Sequence, residues 1–146
     1  MTASPPVQPN RVALRLGYAA LLPFVFGAAL VWITRDAARD HAAAMLSAFA
    51  AVNVALLGGV HWGFGFAHAA APVRLFGWGA TAAIVASIAV LMPPSAGLVI
   101  HGVMLIGCYL ADRKVYPGQG AAPWLTLRFR QSVVASLSCF IAAAGS

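Results

Sequence analysis

The chain has 146 residues, 62% of them hydrophobic and 8% charged, with a mean hydropathy of +0.86. A soluble domain cannot carry this composition, because its surface would expose more apolar area than stays dispersed in water. The net charge of +6 does not point to nucleic acid, since the nine Lys and Arg residues lie in the connections between apolar segments and form no basic face.

Residues 1–12 read as a disordered cytoplasmic tail, with Pro5, Pro6 and Pro9 and no apolar period. The rest, residues 13–146, reads as one transmembrane domain. Its helices are expected at about 16–33, 43–67, 74–92, 96–112 and 124–144, because crossing roughly 30 Å of hydrocarbon takes about 20 mostly apolar residues. The first segment is longer than a signal-peptide core, and Thr34-Arg35-Asp36 offers no small-residue cleavage pattern. Arg11, Arg15, Arg74, Arg113, Lys114, Arg128 and Arg130 fall on one side of the membrane and only Arg35 and Arg39 on the other. The positive-inside rule turns that skew into a cytoplasmic N-terminus and an outside C-terminus. The expected fold is therefore all-α, a compact bundle of five transmembrane helices.

In helix one, Pro23 removes a backbone donor and frees the carbonyl of Ala19, which predicts a kink serving either packing or a pocket wall. Residues 34–42 read as a short solvated turn, with Asp36 and Asp40 placed to cap helix two. Helix two carries the densest signal, Gly58-Gly59-Val60-His61-Trp62-Gly63-Phe64-Gly65. Gly59 and Gly63 form a small-xxx-small pair, which predicts a close helix crossing that leucine at either position would overpack. Gly58, His61, Gly65 and His68 fall near one face, so a histidine is set among packing glycines close to the cytoplasmic boundary. Three roles fit His61: an interhelical hydrogen bond, the wall of a small pocket, or a metal or haem ligand.

The connections at Pro72 to Arg74 and at Pro93-Pro94-Ser95 are tight, which makes helices two, three and four antiparallel neighbours. Helix four holds His101 toward its outer end, about 15 Å in depth from His61, so the two cannot share one haem iron. Asp112 closes helix four, and Pro123 opens helix five after the only sizeable connection. Arg128 and Arg130 then lie slightly inside lipid. Asp112 is expected to pair with one of them, either docking helix five or recognising a substrate, with His61 and Trp62 packed nearby. Pro23, His61, Trp62, Asp112, Arg128 and Arg130 thus converge on one layer of the cytoplasmic half. Ser132, Ser136 and Cys139 follow an i, i+4, i+7 stripe of small residues, and no nucleophile, metal set, disulfide or firm cofactor is implied.

Leu16-Gly17-Tyr18-Ala19-Ala20-Leu21-Leu22-Pro23-Phe24, Leu57-Gly58-Gly59-Val60-His61-Trp62-Gly63, and Asp112-Arg113 followed by Pro123-Trp124-Leu125-Thr126-Leu127-Arg128 together resemble a family of small bacterial inner-membrane proteins. That family is related to the mitochondrial transmembrane protein 69. The resemblance implies a five-helix integral membrane protein and supplies no catalytic residue. The leading expectation is a non-enzymatic accessory or assembly subunit of a larger membrane complex, possibly respiratory, or a homo-oligomer. The alternatives are a ligand-binding protein holding quinone, lipid or haem in a pocket near His61, and a small transporter or channel subunit.

Overall fold

A computed structural model describes residues 9–146, so most of the tail expected over residues 1–12 lies outside the described residues. Among them the chain is all helical, with no strand. The helices are α1 (Arg11–Ala19), α2 (Leu22–Ile33), α3 (Asp36–Phe66), α4 (Val73–Val90), α5 (Pro94–Val115) and α6 (Leu125–Gly145), and two short 3-10 turns join α5 to α6.

The expected first helix is two. It starts early, at Arg11, where the side chain of Asn10 accepts a hydrogen bond from the amide of Val12 and satisfies a free donor of the first turn. It breaks at Ala20–Leu21 because Pro23 has no amide hydrogen to give to Ala19. The chain responds with tighter turns, the amides of Leu21 and Phe24 bonding the carbonyls of Tyr18 and Leu21.

The solvated turn expected over residues 34–42 is almost absent. Helix α3 already begins at Asp36, and the connection shrinks to Thr34 and Arg35. Apolarity marks where a helix leaves lipid, but Ala, Arg and Asp continue it in water, so the polar start of α3 was hidden from a hydropathy reading. Asp36 sits at φ +50°, a left-handed conformation that Asp tolerates and that lets the chain reverse in so few residues. Neither Asp36 nor Asp40 caps α3, since its cap position is Arg35 and makes no side-chain bond. Around the reversal, the Thr34 hydroxyl donates to the carbonyl of Leu30 at 2.6 Å and Arg39 donates to that of Thr34 at 3.3 Å.

Four helical stretches, Arg11–Ile33, Asp36–Phe66, Val73–Val90 and Pro94–Gln119, are long and apolar enough to cross a membrane. Helix α6 is not among them, because its first half carries Thr126, Arg128, Arg130, Gln131 and Ser132. Large apolar side chains such as Phe66, Val73 and Leu91 lie on the outside of the bundle. The core is built mainly from small residues, among them Ala43, Ala50, Ala82, Ala86 and Ala142, with Val54 and Leu98 between them. That inversion suits a hydrocarbon solvent: lipid provides no reason to hide large side chains, and small ones let helices approach closely.

Helix α3 is the central element and packs against α2, α4 and α5, while α6 packs against α5 and α2. The face of α3 that turns inward is Val54, Gly58, His61 and Gly65. A Cβ on Gly58 would stand 2.9 Å from the carbonyl oxygen of Gly79 and from Ala82, so Gly58 and Gly79 form the α3/α4 crossing. Gly65 lies under the ring of Phe76. The expectation for Gly59 and Gly63 is overturned: no neighbour lies within 4 Å of a Cβ at either position, and both face outward. The spacing of four was right for one face, but the registration against α4 selects the face one residue away.

Two polar ties brace the bundle away from its basic end. The carbonyl of Ala86 on α4 accepts from His101 Nε2 at 3.2 Å, which leaves Nδ1 to accept from the Ser47 hydroxyl of α3 at 3.3 Å. Trp32 Nε1 donates to the carbonyl of Ile141 at 3.0 Å, fastening the end of α2 to α6.

Candidate functional site

The site is centred on the C-terminal end of α5. Asp112 is 1% exposed and accepts at Oδ2 from Arg128 Nε at 2.8 Å. Arg128 belongs to the first turn of α6 and is itself only 8% exposed, so the pair is withdrawn from water and depends on further bonds to offset its desolvation. Arg128 Nη1 donates to Gln131 Oε1 at 2.8 Å, and Gln131 Nε2 donates to the carbonyl of Gly17 at 2.8 Å. This chain of bonds joins α5 through α6 to α1. It is also why α6 begins with polar residues that spoil its hydropathy.

His61 enters from α3. Its Nδ1 lies 3.3 Å from the carbonyl of Leu57, a pure acceptor, so in the neutral ring Nδ1 carries the hydrogen and Nε2 is left as an acceptor. Nε2 is 3.6 Å from Asp112 Oδ1, too long for a hydrogen bond. Both atoms, together with Arg128 Nη2, are buried without a protein partner. Tyr116 closes the group, its ring centroid 6.5 Å from that of His61 and 5.3 Å from that of Phe64.

Of the six residues expected in one layer, the structure brings His61, Asp112 and Arg128 together and leaves three outside. Pro23 is exposed on the outer side of α2. Trp62 follows His61 in sequence and so points about 100° away around the helix, where its Nε1 donates to the carbonyl of Phe76 at 2.8 Å. Arg130 faces outward and donates to the Tyr18 hydroxyl at 2.9 Å. A shared depth along the helices carries no information about which way each side chain turns.

Two cavities flank the cluster. One, of about 340 Å³, lies between α1, α2, α3, α5 and α6, and its wall includes Phe24, Asn53, Leu57, Tyr116, Arg128 and Gln131. The other, of about 650 Å³, lies between α3, α4 and α5 and is lined by His61, Arg74, Trp78 and Lys114 among others. Asn53, Tyr116 and Trp78 are residues the sequence reading passed over. An Asn or Trp within an apolar helix was the available signal for Asn53 and Trp78, since each must find a partner when buried, whereas Tyr116 lies in the turn after α5. Among the described residues no group of three or more His, Cys, Asp or Glu could hold a metal, and Cys108 and Cys139 are both buried and free.

Helices long and apolar enough to span, an outside rich in large apolar side chains and a polar cluster sealed within define a multi-pass, all-helical membrane protein. The chain belongs to the family described as a protein of unknown function, DUF3429, which it matches over residues 9–144. No curated protein and no solved structure matches the chain.

Proposed function

We propose that this protein binds a lipid-soluble ligand whose polar end is a neutral hydrogen-bond acceptor, in the cavity walled by Arg128. The observation that carries this reading is Arg128 itself: a buried guanidinium on the wall of a largely apolar cavity, with Nη2 unpartnered. A buried donor without an acceptor costs roughly 1–3 kcal/mol or more, which a bound carbonyl would recover. Asp112 already balances the charge of Arg128, so a second anion would stand uncompensated in a low-dielectric site, whereas a carbonyl would not. Phe24, Leu56, Leu57 and Val60 supply the apolar wall for a tail. A quinone with an isoprenoid chain has this chemistry. Haem fits it less well, because no histidine lines this cavity.

Titrating a short-chain benzoquinone into the purified protein by equilibrium dialysis tests the reading. Saturable binding is expected, lost on replacing Asp112 and Arg128 together by Leu and Met. Absence of binding, or binding that survives that change, refutes it.

A second reading, an accessory or assembly subunit of a larger membrane complex, draws on the outward Gly59 and Gly63, which offer a close-approach surface on a spanning helix. Copurification from mild detergent tests it, and a chain that always migrates alone sinks it. A transporter or channel subunit would require flux through proteoliposomes. In all these readings α6 is a fifth span, the N-terminus is cytoplasmic and the C-terminus outside, supported by seven of the nine basic residues gathering at one end. A bacterial inner-membrane location and kinship with transmembrane protein 69 belong to the same proposal. Reporter fusions at both termini check the topology.

A further inference from the structure

Two residues on the wall of the cavity between α3, α4 and α5, Trp78 and His61, each hold a buried polar atom without a hydrogen-bond partner, and the two make opposite demands. Trp78 Nε1 can only donate, so it needs an acceptor; His61 Nε2, with the ring hydrogen on Nδ1, needs a donor, and the nearest protein group facing it is another acceptor, Asp112 Oδ1 at 3.6 Å. Arg74 and Lys114 stand on the same wall, both exposed. Neither has a carboxylate partner: among the described residues the carboxylate contacts within 4 Å are those of Asp112 with Arg128 and with His61. The rest of the wall is largely apolar, with Leu75, Ala111 and Val115, and the cavity lies at the basic end of helices whose outer sides carry Val73, Ile84 and Ile88.

We propose that this cavity is a binding site for the headgroup of an anionic glycerophospholipid. Arg74 and Lys114 hold the phosphate, and Trp78 Nε1 donates to one of its oxygens. A headgroup hydroxyl donates to His61 Nε2, and the acyl chains run over the apolar outer side of α4. The chemistry selects among lipids. A glycerol headgroup supplies the hydroxyl that His61 lacks, whereas the quaternary ammonium of a choline headgroup has no hydrogen to donate and brings a cation toward Arg74 and Lys114. The volume of about 650 Å³ exceeds what a bare phosphate would fill. This site is independent of the Arg128 cavity, and neither proposal requires the other.

The test is native mass spectrometry of the full chain released from mild detergent after incubation with phosphatidylglycerol, phosphatidylcholine or inorganic phosphate. Phosphatidylglycerol should be retained and phosphatidylcholine not. Each basic residue near the headgroup layer contributes roughly fivefold in affinity, so R74Q/K114Q should weaken retention by about 25-fold. Trp78→Phe, which removes only the N–H, should also weaken it, whereas Arg113→Gln, exposed and off the cavity wall, should not. Equal retention of phosphatidylcholine, or unchanged retention in R74Q/K114Q, overturns the site. Displacement of the lipid by inorganic phosphate assigns the site to a free anion and overturns the lipid reading. R74Q/K114Q should leave quinone binding at Arg128 intact, which separates failure of this proposal from failure of the other.

Discussion

Replacing Asp112 by Leu removes the partner of a guanidinium that is 92% buried, given its 8% exposure, and leaves Nε without its 2.8 Å acceptor. Breaking a buried pair from one side costs about 3–5 kcal/mol, because the remaining charge is stranded where water cannot reach it. Arg128→Met strands the carboxylate in the same way and also removes the bond to Gln131 that leads on to α1. The double replacement strands neither charge and substitutes apolar groups of similar length, so it should recover to within about 1–2 kcal/mol of the parent. The assay is reversible unfolding in mixed micelles, monitored by far-ultraviolet dichroism, with the two singles and the double forming a thermodynamic cycle. The expected coupling between the positions is several kcal/mol, far above the few tenths found for independent sites. Additive losses, or single losses below about 1 kcal/mol, would refute a sealed ion pair and mean that water reaches both groups. The double variant also divides structure from function: folded and stable, it lacks the Nη2 donor and should bind no quinone.

Gly58→Leu should destabilise the bundle by about 1–3 kcal/mol through overpacking of the α3/α4 crossing, while Gly59→Leu and Gly63→Leu should shift the same unfolding midpoint by less than about 0.5 kcal/mol. Trp32→Phe keeps the ring against Gly145 but loses the bond to Ile141, so a loss of about 0.5–1.5 kcal/mol is expected, together with faster amide exchange at the end of α6. His101→Leu leaves the Ser47 hydroxyl without its partner and should cost about 1–3 kcal/mol in the same micelle assay, whereas S47A/H101L should cost less than the sum of the two single changes.

Hydropathy and charge reached the spans because lipid punishes each misplaced polar group individually, a penalty that is local in sequence. They carry no record of a partner on another helix, or of a helix that continues beyond its apolar stretch. Helix α6 keeps Arg128 buried because Asp112 comes from another helix. The early start of α3 at Asp36 escaped notice because a helix in water asks only for reasonable propensity, not for apolarity. Within the candidate site, depth could be read by counting 1.5 Å per residue, and this placed Asp112, Arg128 and His61 on one level. Orientation could not. Trp62 and Arg130 share that level and turn outward, because the rotation of α3 and α6 is set by the Gly58–Gly79 crossing and by Gly17 against Leu127.

The sequence by itself indicated an all-helical, multi-pass membrane protein whose basic residues gather at one end. Both follow from the transfer cost of single side chains. Only the tertiary structure decided that Gly58 rather than Gly59 or Gly63 meets α4, that Arg128 rather than Arg130 takes Asp112, and that His61 and Arg128 open onto separate cavities. Those outcomes depend on the relative rotation of packed helices. One residue of registration turns a side chain by about 100°, which no count along the chain records.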